Sequence, residues 1–308
     1  MARRVDAALL LDKPVGLSSN AALQAAKRMF RAAKAGHAGT LDPLASGLLL
    51  VLFGEATKFA TFLLDTDKTY LASVHLGITT STGDAEGEVT ARRAVSVSQP
   101  QVEAALSRFR GTISQVPPMY SALKVGGQPL YALAREGLSV ERRPREVVIH
   151  ELELISLQED YLALRVRCSK GTYVRTLAED IGAALGTGAH LAGLRRTSAG
   201  RLSVDDATGL LALEGMSTTE RESRLLPLDA LLEGQPRLEC GAAAERRLRN
   251  GQAIAVPGSP AGQCAIYGPG GLIGLGAGDG AGTVRPLRLI APPATGETQA
   301  AEIPKKNL

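Results

Sequence analysis

The sequence predicts an α+β fold whose main sheet is mostly antiparallel. Segments with strand-like patterns alternate irregularly with segments of helical spacing, and no regular strand–helix–strand unit recurs along the chain. Two strand-like segments, 145–157 and 161–169, follow one another across a short turn, as a pair of neighbouring strands does. The composition, 44% apolar and 21% charged residues over 308 positions, allows a sizeable core and is that of an ordinary globular protein.

The first predicted elements are a buried strand, a helix and a second buried strand. The apolar run at 7–11 is ended by the turn sequence DKPVG, and Ser18, Ser19 or Asn20 can cap the helix that follows. The apolar run at 48–53 is continuous, which is typical of a buried strand. The glycine-containing segment before it is expected to be a loop.

The central part of the chain continues with strands and helices. Residues 70–77 alternate between apolar and polar, which predicts a strand, and the spacing of Ser98 and Gln101 predicts a capped helix. The segment 171–185 has a single apolar face at helical spacing, and 190–204 returns to a strand-like pattern.

A change of composition near residue 234 predicts two domains. We expect a large domain over 1–234, with an insertion at about 116–150, and a small glycine-rich β domain over 235–292. The remaining segment, 293–308, has no pattern of a core and is expected to be a disordered tail.

The residue counts exclude several classes of protein. The three cysteines form no C-x-x-C pair and the four histidines are scattered, so the sequence predicts no metal site and no disulfide framework. The N-terminus lacks the pattern of a signal peptide, and no apolar run approaches the roughly 20 residues of a membrane span. We therefore expect a cytoplasmic protein that does not bind a membrane.

The charge of the chain permits a partner made of phosphates. Basic residues exceed acidic ones by four. The cluster Arg142, Arg143 and Arg145 can follow the backbone of a nucleic acid, although a solvated surface explains such a cluster taken alone.

A lone carboxylate, Asp42, stands in the sequence GHAGTLDPLASGLL. Gly36 and Gly39 allow the backbone to turn sharply before it, and Pro43 restricts the backbone after it. Two interpretations are open at this point. Asp42 is either a common turn residue or a reactive group at the edge of a core.

The whole string closely resembles the aspartate-bearing motif of the pseudouridine synthases, and in detail that of their TruB branch. Further motifs resemble the same family in the expected order, and together they cover most of residues 5–205. These motifs are LDKPVGLSS, KTYLASVHLGITTSTGDAEGE, VPPMYSALKVGGQPLYALAREG, SKGTYVRTLAEDIG and HLAGLRRTSAG. Five ordered motifs are far more specific than any one of them.

The resemblance implies a fold, a reaction and a partner. The fold is the pseudouridine synthase fold, a mainly antiparallel mixed sheet flanked by helices, followed by a small PUA-like RNA-binding β domain. The reaction converts uridine 55 in the T loop of tRNA to pseudouridine after the base is flipped out. It implies no cofactor, no required protein partner and a monomer.

The resemblance also implies roles for individual residues. Asp42 would act at the sugar, Tyr70 would stack on the uracil and take the proton from its carbon 5, and Arg175 would keep Asp42 ionised. The residues expected to bind substrate are His37, Tyr173, Leu194, Lys13 and Lys58, and those expected along the RNA backbone are Arg142, Arg143 and Arg145.

The chemistry is consistent with a single aspartate. A carboxylate can attack the sugar or start an elimination there, and an isomerisation keeps its leaving group. No second acidic residue stands in a comparable setting in the sequence. Two alternatives stay open: the guide-RNA-dependent branch of archaea and eukaryotes, and a non-catalytic RNA-binding or tRNA-folding protein.

Overall fold

The computed structural model describes residues 1–121, 123–138 and 140–292 of the chain. The tail predicted over 293–308 lies outside them. The predicted α+β class is confirmed, because the described chain has a large and a small sheet with helices packed against them.

The large sheet has 11 strands in the described residues, and its main path runs β14-β1-β3-β12-β4-β11-β10-β7. Its members are β1 Ala7–Lys13, β2 Ala35–Ala38, β3 Ala45–Phe53, β4 Lys68–Leu76, β7 Gly111–Gln115, β10 Arg145–Gln158, β11 Tyr161–Cys168, β12 Ala189–Ala199, β13 Leu202–Ser203, β14 Thr208–Gly209 and β15 Leu225–Leu226. Only the β1–β14 and β3–β12 pairs of this sheet are parallel in the described residues, so the predicted antiparallel character is confirmed.

The remaining elements in the described part of the chain are eight α-helices, three short 3-10 helices, two short ribbons and a five-stranded sheet. The helices are α1 Ser19–Met29, α2 Ala60–Leu64, α3 Gln99–Ser107, α4 Leu130–Arg135, α5 Val174–Ala184, α6 Leu210–Gly215, α7 Thr218–Glu222 and α8 Ala242–Arg249. The ribbons pair β5 Ile78–Thr80 with β6 Val89–Arg92, and β8 Lys124–Val125 with β9 Gln128–Pro129. The small sheet consists of β16 Arg237–Glu239, β17 Ile254–Ala255, β18 Ala261–Gly268, β19 Gly271–Asp279 and β20 Thr283–Leu289.

The strand β3 is buried on both faces, which explains its continuous apolar sequence. Leu49 and Val51 pack in the core that contains α1. Leu48 and Leu50 point the other way, into a core that they share with residues of the small sheet. This strand begins three residues after Asp42 and therefore gives the Asp42 loop a rigid base.

The segment before β3 differs from its prediction as a loop. Ala35–Ala38 forms the strand β2, which pairs with Leu50–Phe53. On this edge of β3 the strand β12 pairs only with Ala45–Gly47. The pairing with β2 supplies hydrogen bonds that buried backbone groups further along β3 would otherwise lack.

Two predicted helix starts are confirmed. The Ser18 side chain accepts a hydrogen bond from the backbone of Ala21 and caps α1. Ser98 and Gln101 form the expected capping box at α3. α5 buries the apolar face that the sequence predicts against the large sheet, in the same core as α3.

The small sheet has its own core and also shares one with the large sheet. Its own core contains Leu238, Leu248 and Val284. Ala265 and Leu275 belong instead to the core that contains one face of β3. The last strand of the large sheet in chain order ends at Leu226, and the first strand of the small sheet begins at Arg237.

Candidate active site

The loop that carries Asp42 is held from several sides by hydrogen bonds to its backbone. The Ser19 hydroxyl donates to the Leu41 carbonyl at 2.9 Å and accepts the Leu41 N–H at 2.7 Å. The Gly16 N–H donates to the Pro43 carbonyl at 2.8 Å. The residues on both sides of Asp42 are thus fixed by the N-terminal segment.

The Asp42 carboxylate forms an ion pair with a buried arginine. Its Oδ2 lies 2.9 Å from Nη2 of Arg175, and 43% of its side chain is exposed while only 5% of the Arg175 side chain is. Burial raises the pKa of Asp42 above its ordinary value, and the charge of Asp84 adds to this, while Arg175 and Lys13 oppose it. The sequence-based expectation that Arg175 lies beside Asp42 agrees with this geometry.

Arg175 is positioned by the first turn of α5 and by three further partners. Its guanidinium donates to the Thr82 carbonyl at 3.2 Å and to the Tyr120 carbonyl at 2.5 Å. Its Nε lies 3.5 Å from Oδ2 of Asp84. The guanidinium therefore has a fixed orientation toward Asp42.

Asp84 is a second carboxylate beside the same guanidinium, and it corrects the expectation that no second acid has a comparable setting. Its side chain is 5% exposed. It accepts hydrogen bonds from the Thr82 hydroxyl at 2.5 Å and from the Glu86 N–H at 3.1 Å. In the sequence it stands in a polar, glycine-containing segment, TTSTGDAEGE, where a surface loop is the ordinary interpretation.

Tyr70 and Leu194 lie in one apolar cluster with Leu44, two residues after Asp42. Leu194 is opposite Ala45 in the sheet, which brings this cluster to the start of β3. Burial raises the pKa of the Tyr70 phenol, and the neighbouring Arg196 opposes this shift. The structure thus brings together an apolar surface and the Asp42 loop.

Tyr173 lies at the N-terminus of α5, two residues before Arg175. A buried amide, Gln115, holds it: its Nε2 donates to the Tyr173 carbonyl at 3.3 Å, and its Oε1 accepts the Tyr173 N–H at 3.1 Å. The guanidinium of Arg145 lies 4.8 Å from the centroid of the Tyr173 ring and donates to the Gly171 carbonyl. Gln115 and Arg145 therefore hold the start of α5 in place.

His37 lies on β2 opposite Val51 and is half-buried. Burial lowers the pKa of its imidazole, and the positive charge of Arg196 lowers it further. Its Nδ1 is buried and has no hydrogen-bond partner among the described residues. A neutral imidazole is therefore the stable form near neutral pH.

Lys13 and Lys58, both expected to bind substrate, make their hydrogen bonds within the protein. Lys13 is fully buried, and its ammonium donates to the Pro14 and Leu17 carbonyls at 2.9 and 2.6 Å, so it has no surface to offer to a phosphate. Burial lowers its pKa to about 8. Lys58 lies 2.7 Å from Glu55 and donates to the Leu289 carbonyl of the small sheet at 2.8 Å, which makes it a link between the two sheets.

The three arginines expected along RNA differ in their surroundings. Arg142 donates to the Pro117 carbonyl at 3.0 Å, and Arg145 is held by Gly171 and the Tyr173 ring. Arg143 between them is exposed. The guanidinium of Arg143 therefore offers the more accessible charge.

Several supporting residues were missed at the sequence level. They are Ser19, Asp84, Gln115 and Arg196, and each acts on a backbone or side chain distant in sequence. Of these four residues, Arg196 is the one that the charge pattern could have indicated. It is part of a pair of arginines in the strand-like segment HLAGLRRTSAG, where charged residues are unusual.

No group of three or more His, Cys, Asp or Glu residues in the described ranges could hold a metal ion. Within the same ranges no helix has the length and apolar character needed to cross a membrane.

A surface cavity of about 450 Å³, lined in part by His75, Arg92 and Asp160, contains none of the predicted site residues. We locate the site at Asp42, where paired charges and an apolar cluster meet.

Comparison with solved structures shows the same fold elsewhere. The chain aligns with a chain of the crystal structure of a Cbf5-Nop10-Gar1 complex at a TM-score of 0.69 and 26% identity, over 90% of this chain and 79% of that one. It also aligns with a structure of an H/ACA RNP bound to a substrate RNA containing 2′-deoxyuridine at a TM-score of 0.70 and 24% identity, over 93% of this chain and 85% of that one.

Three family models match successive parts of the chain. Residues 27–174 match the N-terminal domain of TruB family pseudouridylate synthases, and residues 175–233 match the C-terminal domain of tRNA pseudouridylate synthase B. Residues 236–290 match the C-terminal region of pseudouridine synthase II TruB. The fold, the aspartate loop and these matches together define a pseudouridine synthase.

Curated relatives narrow this class to one family. The tRNA pseudouridine synthase B of Aromatoleum aromaticum is 54% identical over 96% of this chain and 96% of its own length. The proteins of the same name from Dechloromonas aromatica and Burkholderia mallei are 51% and 58% identical, over 94% and 82% of this chain and 96% and 84% of their own lengths. The chain belongs to the TruB family of pseudouridine synthases.

Proposed function

We propose that this chain converts uridine 55 in the T loop of tRNA to pseudouridine, with Asp42 acting at the sugar of a flipped-out nucleotide. That it is a tRNA pseudouridine synthase follows from its similarity to the curated relatives over nearly its whole length. The single observation that supports the role of Asp42 is its ion pair with Arg175 at 2.9 Å, beside an apolar cluster.

The reaction moves one bond and relocates one proton. On one route the carboxylate of Asp42 attacks the anomeric carbon, and on the other it removes a proton from the sugar. On both routes the bond from the anomeric carbon to N1 of uracil breaks. The released uracil turns and its carbon 5 bonds to the same sugar carbon. On the first route this step displaces the Asp42 carboxylate from that carbon, and on the second Asp42 returns the proton to the sugar. Carbon 5 then loses its proton, N1 gains one, and the product is an isomer of the substrate.

Arg175 and Asp84 set the ionisation of Asp42 in this scheme. Burial favours the protonated carboxyl, whereas the reaction needs the carboxylate. The Arg175 guanidinium stabilises the carboxylate and is itself held by Asp84 at 3.5 Å. Because two carboxylates share one guanidinium, Asp84 both orients Arg175 and takes up part of its charge.

Tyr70 is proposed to stack on the uracil and to accept the proton from carbon 5. Leu194 and Leu44 of the same cluster, with Tyr173 at the start of α5, would form the remaining walls of the pocket. Flipping a base out of a folded RNA costs a few kcal/mol, and stacking and hydrogen bonds in the pocket offset this. His37 is proposed to contact the T loop, where a neutral imidazole can stack on a base.

The RNA is proposed to lie along the basic insertion and the small sheet. Arg142, Arg143 and Arg145 would follow its backbone, and residues 235–292 would form the PUA-like RNA-binding domain. We propose that the chain acts as a monomer in the cytoplasm, without a guide RNA, protein partner or cofactor. The relatives that carry the name tRNA pseudouridine synthase B, at 51 to 58% identity, favour this over the guide-dependent branch.

The test uses the pure full-length chain, an unmodified T stem-loop transcript and mapping of pseudouridine. We expect product from the wild type without guide RNA, and no product from Asp42→Asn with nearly unchanged RNA binding. Comparable modification by Asp42→Asn would remove Asp42 from the mechanism. Wild-type protein that binds the transcript but yields no product would favour a guide-dependent enzyme or a non-catalytic binder, and addition of a guide RNA separates these two.

A further inference from the structure

Arg196 is a buried arginine that the proposed reaction does not use directly. It lies on β12, and its side chain is almost completely buried, with 2% of the residue exposed. A buried guanidinium is stable only when its N–H groups are paired. The partners of Arg196 therefore show what it holds together.

Those partners come from three elements of the site. Its Nη2 donates to the Gly39 carbonyl at 2.9 Å, in the loop that carries Asp42. Its Nε donates to the Leu48 carbonyl of β3 at 2.7 Å. Tyr70 is directly opposite Arg196 on the antiparallel strand β4, and the charge of Arg196 lowers the pKa of the Tyr70 phenol.

Glycine at position 39 makes the first of these contacts possible. Gly39 has a φ of +79°, and a Cβ built there would lie 3.1 Å from Nη1 of Arg196. A side chain at this position would therefore press on the guanidinium as well as strain the backbone. The glycine of the GHAGTLDP motif and Arg196 fit one another across 157 positions of sequence.

We propose that Arg196 is a positioning residue that keeps the Asp42 loop and the Tyr70 phenol in one fixed relation. The inference rests on the proposed function, since it assigns Tyr70 to the proton at carbon 5. Arg196 sets the distance between the group that acts at the sugar and the group that acts at the base. Its positive charge also lowers the pKa of Tyr70 and so favours the phenolate, the form that can accept the proton from carbon 5.

The substitution Arg196→Lys keeps the charge, but an ammonium cannot donate in the same planar geometry to the Gly39 and Leu48 carbonyls. We expect the single-turnover release of tritium from tRNA labelled at carbon 5 of uridine to fall by at least about tenfold. The affinity for the tRNA is expected to stay within about twofold, because Arg196 is not at the surface. The matched control is Arg195→Lys on the same strand, whose guanidinium instead pairs with Asp12 at 2.8 and 3.0 Å.

A double-mutant cycle distinguishes positioning from general damage. If Arg196 acts through Tyr70, Arg196→Lys slows the reaction much less in a Tyr70→Phe background than in the wild type. Full additivity of the two losses would overturn the proposal, and so would unchanged tritium release by Arg196→Lys. In either case an inactive Asp42→Asn variant leaves the proposed function standing.

Thermal unfolding shows whether the Arg196→Lys protein is folded. If it is not, Gly39→Ala takes its place, because the added methyl group displaces the guanidinium without removing it. The same rate loss is expected, again with a much smaller effect in the Tyr70→Phe background. A Gly39→Ala loss that is equally large in both backgrounds would contradict the role of Arg196.

Discussion

One hydroxyl group, that of Ser19, makes two hydrogen bonds to the backbone of Leu41, as donor at 2.9 Å and as acceptor at 2.7 Å. Leu41 precedes Asp42, so the first residue of α1 fixes the backbone next to the proposed catalytic carboxylate. The contact is buried, with 2% of Ser19 exposed. Water therefore cannot easily replace the hydroxyl.

We predict that Ser19→Ala lowers both stability and activity. The Leu41 N–H and carbonyl lose their partner in a buried site, which costs about 1–3 kcal/mol of unfolding free energy. The single-turnover rate should also fall, because the carboxylate is less well placed. Ser18→Ala is the matched control: its exposed side chain caps α1, so its loss costs about 1 kcal/mol of stability without a change in rate. Equal rates for the two variants would contradict the role of Ser19.

Removing the guanidinium next to Asp42 should move the acid limb of the pH–rate profile. Activity requires the carboxylate, so it is lost as the pH falls through the pKa of Asp42. Arg175 is the largest influence that lowers this pKa, hence Arg175→Met should raise it and move the acid limb to higher pH. Single-turnover rates measured between about pH 5 and 8 test this. An acid limb that stays in place would mean that Arg175 does not control the ionisation of Asp42.

Asp84→Asn should produce a shift of the opposite sign. The negative charge of Asp84 raises the pKa of Asp42, so its neutralisation should move the acid limb to lower pH. The maximal rate should fall as well, because the 3.5 Å ion pair that orients Arg175 is lost. The same pH series measures both effects. A shift in the same direction as in Arg175→Met would contradict the proposed sharing of the guanidinium.

The link between the two sheets should weaken when Lys58 is replaced. Lys58→Met removes the 2.8 Å hydrogen bond to Leu289 and the ion pair with Glu55. We expect the free energy of unfolding to fall by about 1 kcal/mol. Limited proteolysis near residue 234 should become faster. Lys170→Met, which removes an ion pair with Asp65 between exposed side chains, is the control and should have little effect.

Among the three arginines of the insertion, Arg143 should contribute most to the salt dependence of tRNA binding. Arg143 is exposed, whereas Arg142 and Arg145 donate to backbone carbonyls of the protein. Arg143→Ala should reduce the slope of log affinity against log salt by about one unit, as expected for one lost phosphate contact. Arg165→Ala, an exposed arginine of β11 paired with Glu153, serves as control. An unchanged slope for Arg143→Ala would show that this residue does not contact RNA.

Local sequence patterns were sufficient for strand β3 and for two helix starts, and the family motif pointed to Asp42, whereas strand β2 was missed. Strand β3 could be predicted because a strand covered on both faces has a continuous apolar sequence, and the helix caps at Ser18 and Ser98 follow from local hydrogen bonds. Asp42 could be identified because the residues around it form a specific motif.

The support of the site could not be predicted in the same way. Ser19 acts on Leu41 across 22 positions, and Arg196 acts on Gly39 across 157 positions. Such contacts depend on which strands become neighbours, and no local pattern encodes the order of strands in a sheet. For the same reason Lys58 was expected at the substrate, although the fold places it against the small sheet.

The apolar side chains of β3 that pack against the small sheet connect segments that are far apart in the described chain. Leu48 and Leu50 come from the segment after Asp42, and Ala265 and Leu275 come from the last sixth of the described chain. A chimera that joins the first 234 residues of this protein to the remainder of a relative would build one interior from two different sequences. Recombination between family members should therefore succeed only when the two halves of this shared interior are inherited together.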